Sequence, residues 1–221
     1  MINWDDIDTV LLDMDGTLLD LQYDNHFWME YLPLAYARAR GLSQDHGRAE
    51  LMARLNAIRG QLAWYSLDHW SEQLEMDIPA LKREIRHMIR IRPFALEFLQ
   101  RLHKGPKKTV LVTNAHPKTM DIKMAEIDIR PWFDTIVVSH QYAAAKEQLA
   151  FWECLQRQHP FDPARTLLID DTESILDTAR EFGIVHLLTL LQPDSAGERR
   201  MDTRFPGIHH FDEIMPAGDS L

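Results

Sequence analysis

Disulfide bonding and thiolate-held metal clusters are out of reach for this chain, because its 221 residues contain a single cysteine, Cys154. That residue lies in Phe151-Trp152-Glu153-Cys154-Leu155, a helical setting where a buried packing role is expected rather than a nucleophilic one. Basic charge is also short. Thirty-four acidic residues outnumber 24 lysines and arginines, giving a formal charge of −10. Without a long basic stripe, a nucleic-acid polymer is not an expected partner. A small anionic substrate stays compatible, since a metal ion and a few local donors can reverse the sign inside a cleft. No apolar run approaches the roughly 20 residues of a membrane span. The opening residues, Met1-Ile2-Asn3-Trp4-Asp5-Asp6, lack an apolar signal core. No membrane partner and a cytoplasmic location are the expectations; the sequence does not set the oligomeric state, and a monomer is compatible with it. Internal repeats and low-complexity tracts are absent.

What is present is an ordinary globular composition, 45% hydrophobic and 26% charged, long enough for one sizeable α/β domain with a smaller insert. Its organising stretch is Val10-Leu11-Leu12-Asp13-Met14-Asp15-Gly16-Thr17-Leu18. An apolar, strand-like run ends in two acids spaced by one residue, so Asp13 and Asp15 point to the same side of an extended chain. Gly16 lets the backbone turn, and Thr17 is placed to hydrogen-bond within the new loop. Two carboxylates at a strand's C-terminal edge form a site for a hard cation, with one free to attack an electrophile. Alone, a D-x-D is more often a solvated turn. The full D-M-D-G-T after a buried strand is far more specific.

From about residue 20 to residue 91, glycine thins out and helical spacing takes over. Phe27, Tyr31 and Leu34 fall at i, i+4 and i+7; Leu51, Leu55, Ile58 and Leu62 form another stripe, as do Leu67, Trp70 and Leu74. Pro79 opens a helix with Leu81, Ile85 and Met88 on one face. From Arg92-Pro93 onward, strands and helices alternate. Thr109–Thr113, Thr135–Ser139, Thr166–Ile169 and Ile184–Leu190 read as strands; Glu147–Gln158 reads as a helix. The expected fold is α/β: a Rossmann-like parallel sheet in a three-layer sandwich, with ligands at the strands' C-terminal ends. Residues 1–19 and 92–221 form its core, and residues 20–91 form a small all-helical insert. Residues 192–207 are polar and poorly periodic.

Further strand ends carry useful groups. Thr113-Asn114-Ala115-His116-Pro117 offers a hydroxyl and helix-opening N–H groups, a cradle for a phosphoryl group. Lys146 can neutralise phosphate and hold a nucleophile anionic. Leu167-Leu168-Ile169-Asp170-Asp171 ends an apolar strand in adjacent carboxylates, which repel one another unless a cation sits near them.

Order, spacing and position of these four motifs, from about residue 9 to residue 190, resemble the haloacid dehalogenase superfamily of phosphohydrolases. The insert resembles that superfamily's mobile type 1 cap. The resemblance implies Mg²⁺ dependence and phosphate-ester hydrolysis, with Asp13 as nucleophile and Asp15 as general acid/base. It further implies Thr113, Asn114 and Lys146 as phosphate ligands, and a metal held by Asp13, Asp171 and the Asp15 carbonyl, with Asp170 in support. The acid or amide often found after the second aspartate is Ile175 here, leaving Glu173 and Asp177 as candidate substitutes. Within the superfamily the finer resemblance is to bacterial GMP/IMP 5′-nucleotidases. It is carried by Val10–Leu21, Asp24-Asn25-His26-Phe27-Trp28, Trp64–Leu74 and Leu111–Pro117. The family's Gly-Tyr-Pro before the motif-three lysine reads Ala143-Ala144-Ala145.

The expected partner is therefore a small phosphorylated metabolite, a purine nucleoside monophosphate. Trp28, Trp64, Tyr65 and Trp70 offer stacking surfaces, while Asn25 and His69 are able to hydrogen-bond a purine edge. Large aromatics at helical spacing are individually more often core. Alternatives are a broad sugar-phosphate or phosphoglycolate phosphatase, a phosphomutase, and a catalytically silent protein that holds a cation or partner in its acidic cleft. Asp15 argues against a hydrolytic dehalogenase, whose leaving group needs no acid.

Overall fold

The computed structural model describes residues 2–216. Six strands build its sheet: β1 (Thr9–Leu12), β2 (Lys108–Thr113), β3 (Thr135–Val138), β4 (Thr166–Ile169), β5 (His186–Leu190) and β6 (Gly207–Ile208). They are ordered β3-β2-β1-β4-β5-β6, and every neighbouring pair is parallel. This is the Rossmann order, in which the chain switches direction across the sheet next to β1. Leu12 pairs with Leu111 on one side and Ile169 on the other, so β1 and β4 stop level and Asp13 and Asp170 emerge side by side. The pleat sends alternate residues to opposite faces. Val10, Leu12, Leu111 and Ile169 join one core; Leu11, Val110, Val112 and Leu168 join the other.

The insert between residues 20 and 91 is built of helices: α1 (Gln22–His26), α2 (Leu32–Arg40), α3 (Gln44–Ala57), α4 (Leu62–Tyr65), α5 (Leu67–Leu74) and α6 (Ile78–Glu84). Ser43, Ser66 and Asp77 cap α3, α5 and α6 by accepting from backbone N–H groups, worth about 1 kcal/mol each. The insert's entry and exit run side by side, with Asp20 N donating to Arg90 O and Arg92 N to Leu18 O, both at 2.9 Å. After it come α7 (Ala95–Lys104), α8 (Pro117–Glu126), α9 (Leu149–Gln158) and α10 (Glu173–Phe182). Phe98 and Leu99 of α7 and Ile122 of α8 cover one sheet face, while Trp152 of α9 and Leu176 of α10 cover the other. Burying a side chain such as Phe98 contributes roughly 1.5–3 kcal/mol.

Several local expectations change. A wide π-helical turn at Phe27–Tyr31 separates α1 from α2 and shifts the helical register, so Leu32 and Tyr36 turn inward while Leu34 is left 36% exposed. The stripe from Leu51 to Leu62 is broken after Ala57, where Gly60 adopts φ +80° between α3 and α4. The helix expected from Glu147 begins at Leu149, and the strand expected from Ile184 begins at His186. Cys154 is half-buried, its sulfur accepting from Arg157. The aperiodic stretch after Gln192 leads into β6, which pairs with β5, and Arg92 secures it by donating to Gln192 O and His209 O. Among the described residues, no helix is long and apolar enough to cross a membrane.

Candidate active site

The sheet hands its chemistry to one edge. Asp13 continues the ladder beyond β1, its N–H donating to Ile169 O at 3.0 Å. Gly16 then turns the chain at φ +82°, and a Cβ there would lie 2.7 Å from the Asp171 carboxyl carbon. Only glycine fits that approach without displacing the acid. Thr17 does not supply the loop hydrogen bond expected of it: it is fully buried, and its hydroxyl has no partner among the described residues.

Lys146 is fully buried and its ammonium donates to Asp13 Oδ1 at 2.6 Å, Asp170 Oδ2 at 2.7 Å and Val112 O at 3.1 Å. Three N–H bonds meet three acceptors, so the lysine is held in one geometry. Its backbone is fixed too, with Lys146 N donating to Asn114 Oδ1 and Trp152 Nε1 donating to Lys146 O. The loop before it places Ala143 at φ +51°, where the related family carries glycine; an L-residue pays roughly 1–2 kcal/mol for that conformation.

Carboxylate Oδ atoms of Asp13, Asp170 and Asp171 lie within 4.8 Å of one another. Burial pushes Asp13 up to about 6, with Lys146 opposing and Asp170 adding to the rise. Asp170 is raised and Asp171 raised well above the ordinary carboxylate range, again chiefly by burial. Three buried acids sharing so little space with one ammonium fit a divalent cation. Asp170 is already committed to Lys146 and, through Oδ1, to Thr172 N. Asp171 has weaker partners, the Thr172 hydroxyl at 3.3 Å and Arg200 at 3.7 Å. Glu173 and Asp177 both pair with Arg204, and Ile175 is buried in the core.

Asp15 belongs to a second cluster. Lys123 of α8 donates to both Asp15 and Asp24 at 2.5 Å, and Lys82 of α6 donates to Asp24 at 2.8 Å. Burial pushes Asp15 up to about 6 against the pull of Lys123. Burial would raise Asp24 as well, but its two ammonium partners prevail and hold it at about 2. No local pattern reveals this alternation of charges, because its paired members stand 58 to 108 residues apart.

Thr113 and Asn114 reach the site differently. Thr113 Oγ1 accepts from Ala115 N at 2.9 Å, leaving its hydroxyl hydrogen to donate outward. Asn114 spends both ends of its amide on Lys146 N and on Glu147 Oε2. Glu147, which no motif marked, also accepts from the Tyr65 hydroxyl at 2.5 Å and so ties α4 to the sheet edge.

These groups line a cleft of about 720 Å³ between the sheet edge and the helical insert. Asn25, Trp28, Trp64 and Tyr65 line it, although Asn25 also donates to Asp194 at 2.7 Å. His69 and Trp70 do not. The apolar face of α5 must be buried, which turns Trp70 into the insert's core, where its Nε1 donates to Trp64 O. The His69 ring stands edge-on to Trp70, 5.1 Å away.

A parallel Rossmann-order sheet that gathers Asp13, Asp15, Lys146 and the Asp170–Asp171 pair at one edge matches a known class of α/β hydrolases. Residues 7–183 match the family model of the haloacid dehalogenase-like hydrolases, and the chain belongs to that family. It is 35% identical over 216 residues to the GMP/IMP nucleotidase YrfG of Escherichia coli K12, covering 98% of this chain and 97% of that protein. Among solved structures it is similar to a HAD phosphatase from Thermococcus onnurineus, with TM-score 0.77 and 20% identity over 94% of this chain and 95% of that one. CbbY from Rhodobacter sphaeroides gives TM-score 0.65 and 15% identity over 94% and 96% of the two chains.

Proposed function

We propose that the chain is a Mg²⁺-dependent phosphomonoesterase that forms an aspartyl-phosphate on Asp13 and acts on purine nucleoside 5′-monophosphates. The observation that carries the chemistry is the ammonium of Lys146 held between Asp13 and Asp170, with Asp15 two residues along the same strand end. Full-length similarity to a GMP/IMP nucleotidase supports the substrate class, and a 720 Å³ cleft walled by Trp28 and Trp64 is large enough for a nucleotide. Residues 20–91 act as a cap over a core made of 1–19 and 92–221, of which residue 1 and residues 217–221 lie outside the described residues, hinging where the two connecting segments run side by side.

In the first step an Asp13 carboxylate oxygen attacks phosphorus, the bond from phosphorus to the 5′ oxygen breaks, and protonated Asp15 gives its proton to the departing oxygen. In the second, water attacks phosphorus and yields its proton to the ionised Asp15. The bond to Asp13 breaks, and phosphate leaves with both carboxyls restored. Lys146 keeps Asp13 ionised within its buried setting, and the Thr113 hydroxyl donates to a phosphoryl oxygen. Lys123 opposes the burial of Asp15, keeping its proton transferable in both directions. Asp13, Asp170 and Asp171 would hold Mg²⁺, which when bound offsets the negative charge on the phosphoryl oxygens.

Phosphate release from GMP, IMP, AMP, a hexose phosphate, phosphoglycolate and an aryl phosphate, with Mg²⁺ and with chelator, tests the reading. The expected result is metal-dependent turnover with GMP and IMP ahead of the sugar and glycolate phosphates. A leading sugar or glycolate phosphate removes the nucleotide assignment, and no turnover of any ester removes the phosphatase.

A further inference from the structure

Four cationic side chains line the cleft. Lys146 and Lys82 are tied to the aspartates described above, and Arg200 donates to Asp171 O at 2.6 Å. The guanidinium of the fourth, Arg59, has no hydrogen-bond or ion-pair partner among the described residues. Arg59 stands in the turn after α3, just beyond Met52, Leu55 and Asn56, which line the cleft at i, i+3 and i+4 from one face of that helix. The insert thus meets a bound leaving group with apolar surfaces, those of Trp28, Trp64, Met52 and Leu55, and with one unspent fork of N–H donors.

A flat apolar wall beside a free guanidinium matches a planar heterocycle with two acceptors on one edge. In 6-oxopurines, O6 and N7 are those two acceptors, and arginine meets them bidentately; adenine replaces O6 with a donating amino group, which a guanidinium repels. We infer that Arg59 reads the O6/N7 edge of the base and makes the enzyme selective for 6-oxopurine over adenine nucleotides. This rests on the nucleotidase reading above. A second phosphate is the other natural partner for a free cation, but the cleft already sets eight carboxylates against those four cations, which disfavours a more highly charged substrate.

The experiment measures kcat/KM for IMP and AMP, with IDP as a further substrate, for the full chain and for Arg59→Met and Arg59→Lys in Mg²⁺. Wild-type enzyme prefers IMP to AMP. Arg59→Met lowers the IMP/AMP ratio by about 5- to 150-fold, the range for loss of one bidentate base contact, at unchanged melting temperature. Arg59→Lys, which keeps the charge and loses the fork, lowers it too. An unmoved ratio in Arg59→Met overturns the assignment while leaving the nucleotidase intact. So does a ratio fully preserved by lysine together with a selective loss of IDP turnover in Arg59→Met, the signature of phosphate binding. A wild-type enzyme that ignores every nucleotide overturns both readings.

Discussion

Replacing Lys123 with methionine probes the charge chain that joins Asp15 to the helical insert. Asp15, Lys123, Asp24 and Lys82 alternate in sign and sum to zero. Both lysines are 1% exposed, and the carboxylate side chains 22% and 14%. Methionine keeps most of the stem's volume but leaves two buried carboxylates facing one ammonium. Removing one partner of a buried pair costs about 3–5 kcal/mol. In a chain of this length each kcal/mol moves the melting temperature by about 2–4 °C, so a fall of about 6–20 °C is expected. The double variant Asp24→Leu with Lys82→Met removes one charge of each sign and spares the Asp15–Lys123 pair. It should lose less than Lys123→Met despite changing two residues. Without Lys123, burial of Asp15 goes unopposed and its carboxyl rises above about 6. The ionised form needed to activate water is then reached only at higher pH, which moves the acid limb of the kcat profile upward. Thermal melting of the three proteins and the pH profile of Lys123→Met supply the readouts. If Lys123→Met melts within a few degrees of wild type, or the double variant melts below it, the chain is not the buried, balanced unit described.

Three further outcomes are expected. Asp171→Asn should weaken Mg²⁺ binding more than Asp170→Asn, because Asp170 is already held by Lys146 and Thr172 N; calorimetric titration with the metal alone checks this, and a larger effect at Asp170 reverses the roles. Protons should compete with the metal, since Asp13 takes one up at about 6: its ionised form, available at pH 7, is about tenfold depleted at pH 5, and Mg²⁺ affinity should fall at least in proportion, whereas a flat titration series contradicts a metal held by this acid. Ala143→Gly should stabilise the fold by about 1 kcal/mol in thermal melting, as relief of the positive φ outweighs glycine's extra chain entropy; destabilisation would show that the Ala143 methyl packs usefully.

The edge that carries the candidate site was legible because each motif is local: an apolar strand runs out and an acid, hydroxyl or lysine follows. Parallel register then brings Asp13 and Asp170 together with no further information. Helical spacing likewise placed the insert, but it could not register the π turn at Phe27–Tyr31, where one wider turn rotates everything downstream. Nor could it say which aromatics face the cleft, since tertiary packing alone turns Trp64 of α4 toward it and buries Trp70 of α5. No motif marks Lys123, Lys82 or Glu147. Their roles come from contacts between the insert and the sheet edge, which no local pattern encodes. The two-residue β6 was too short to show periodicity, and it exists because β5 offers it an edge.

Phosphoryl transfer to Asp13 is tested most directly by acid-quenching the enzyme during turnover of IMP and reading the peptides by mass spectrometry. The expected result is one phosphoryl group on the peptide containing Asp13, labile to base, and none on Asp13→Asn, whose turnover falls by roughly three orders of magnitude or more. A phosphoryl group on another residue, or an Asp13→Asn variant that still releases phosphate at a comparable rate, would contradict Asp13 as the nucleophile.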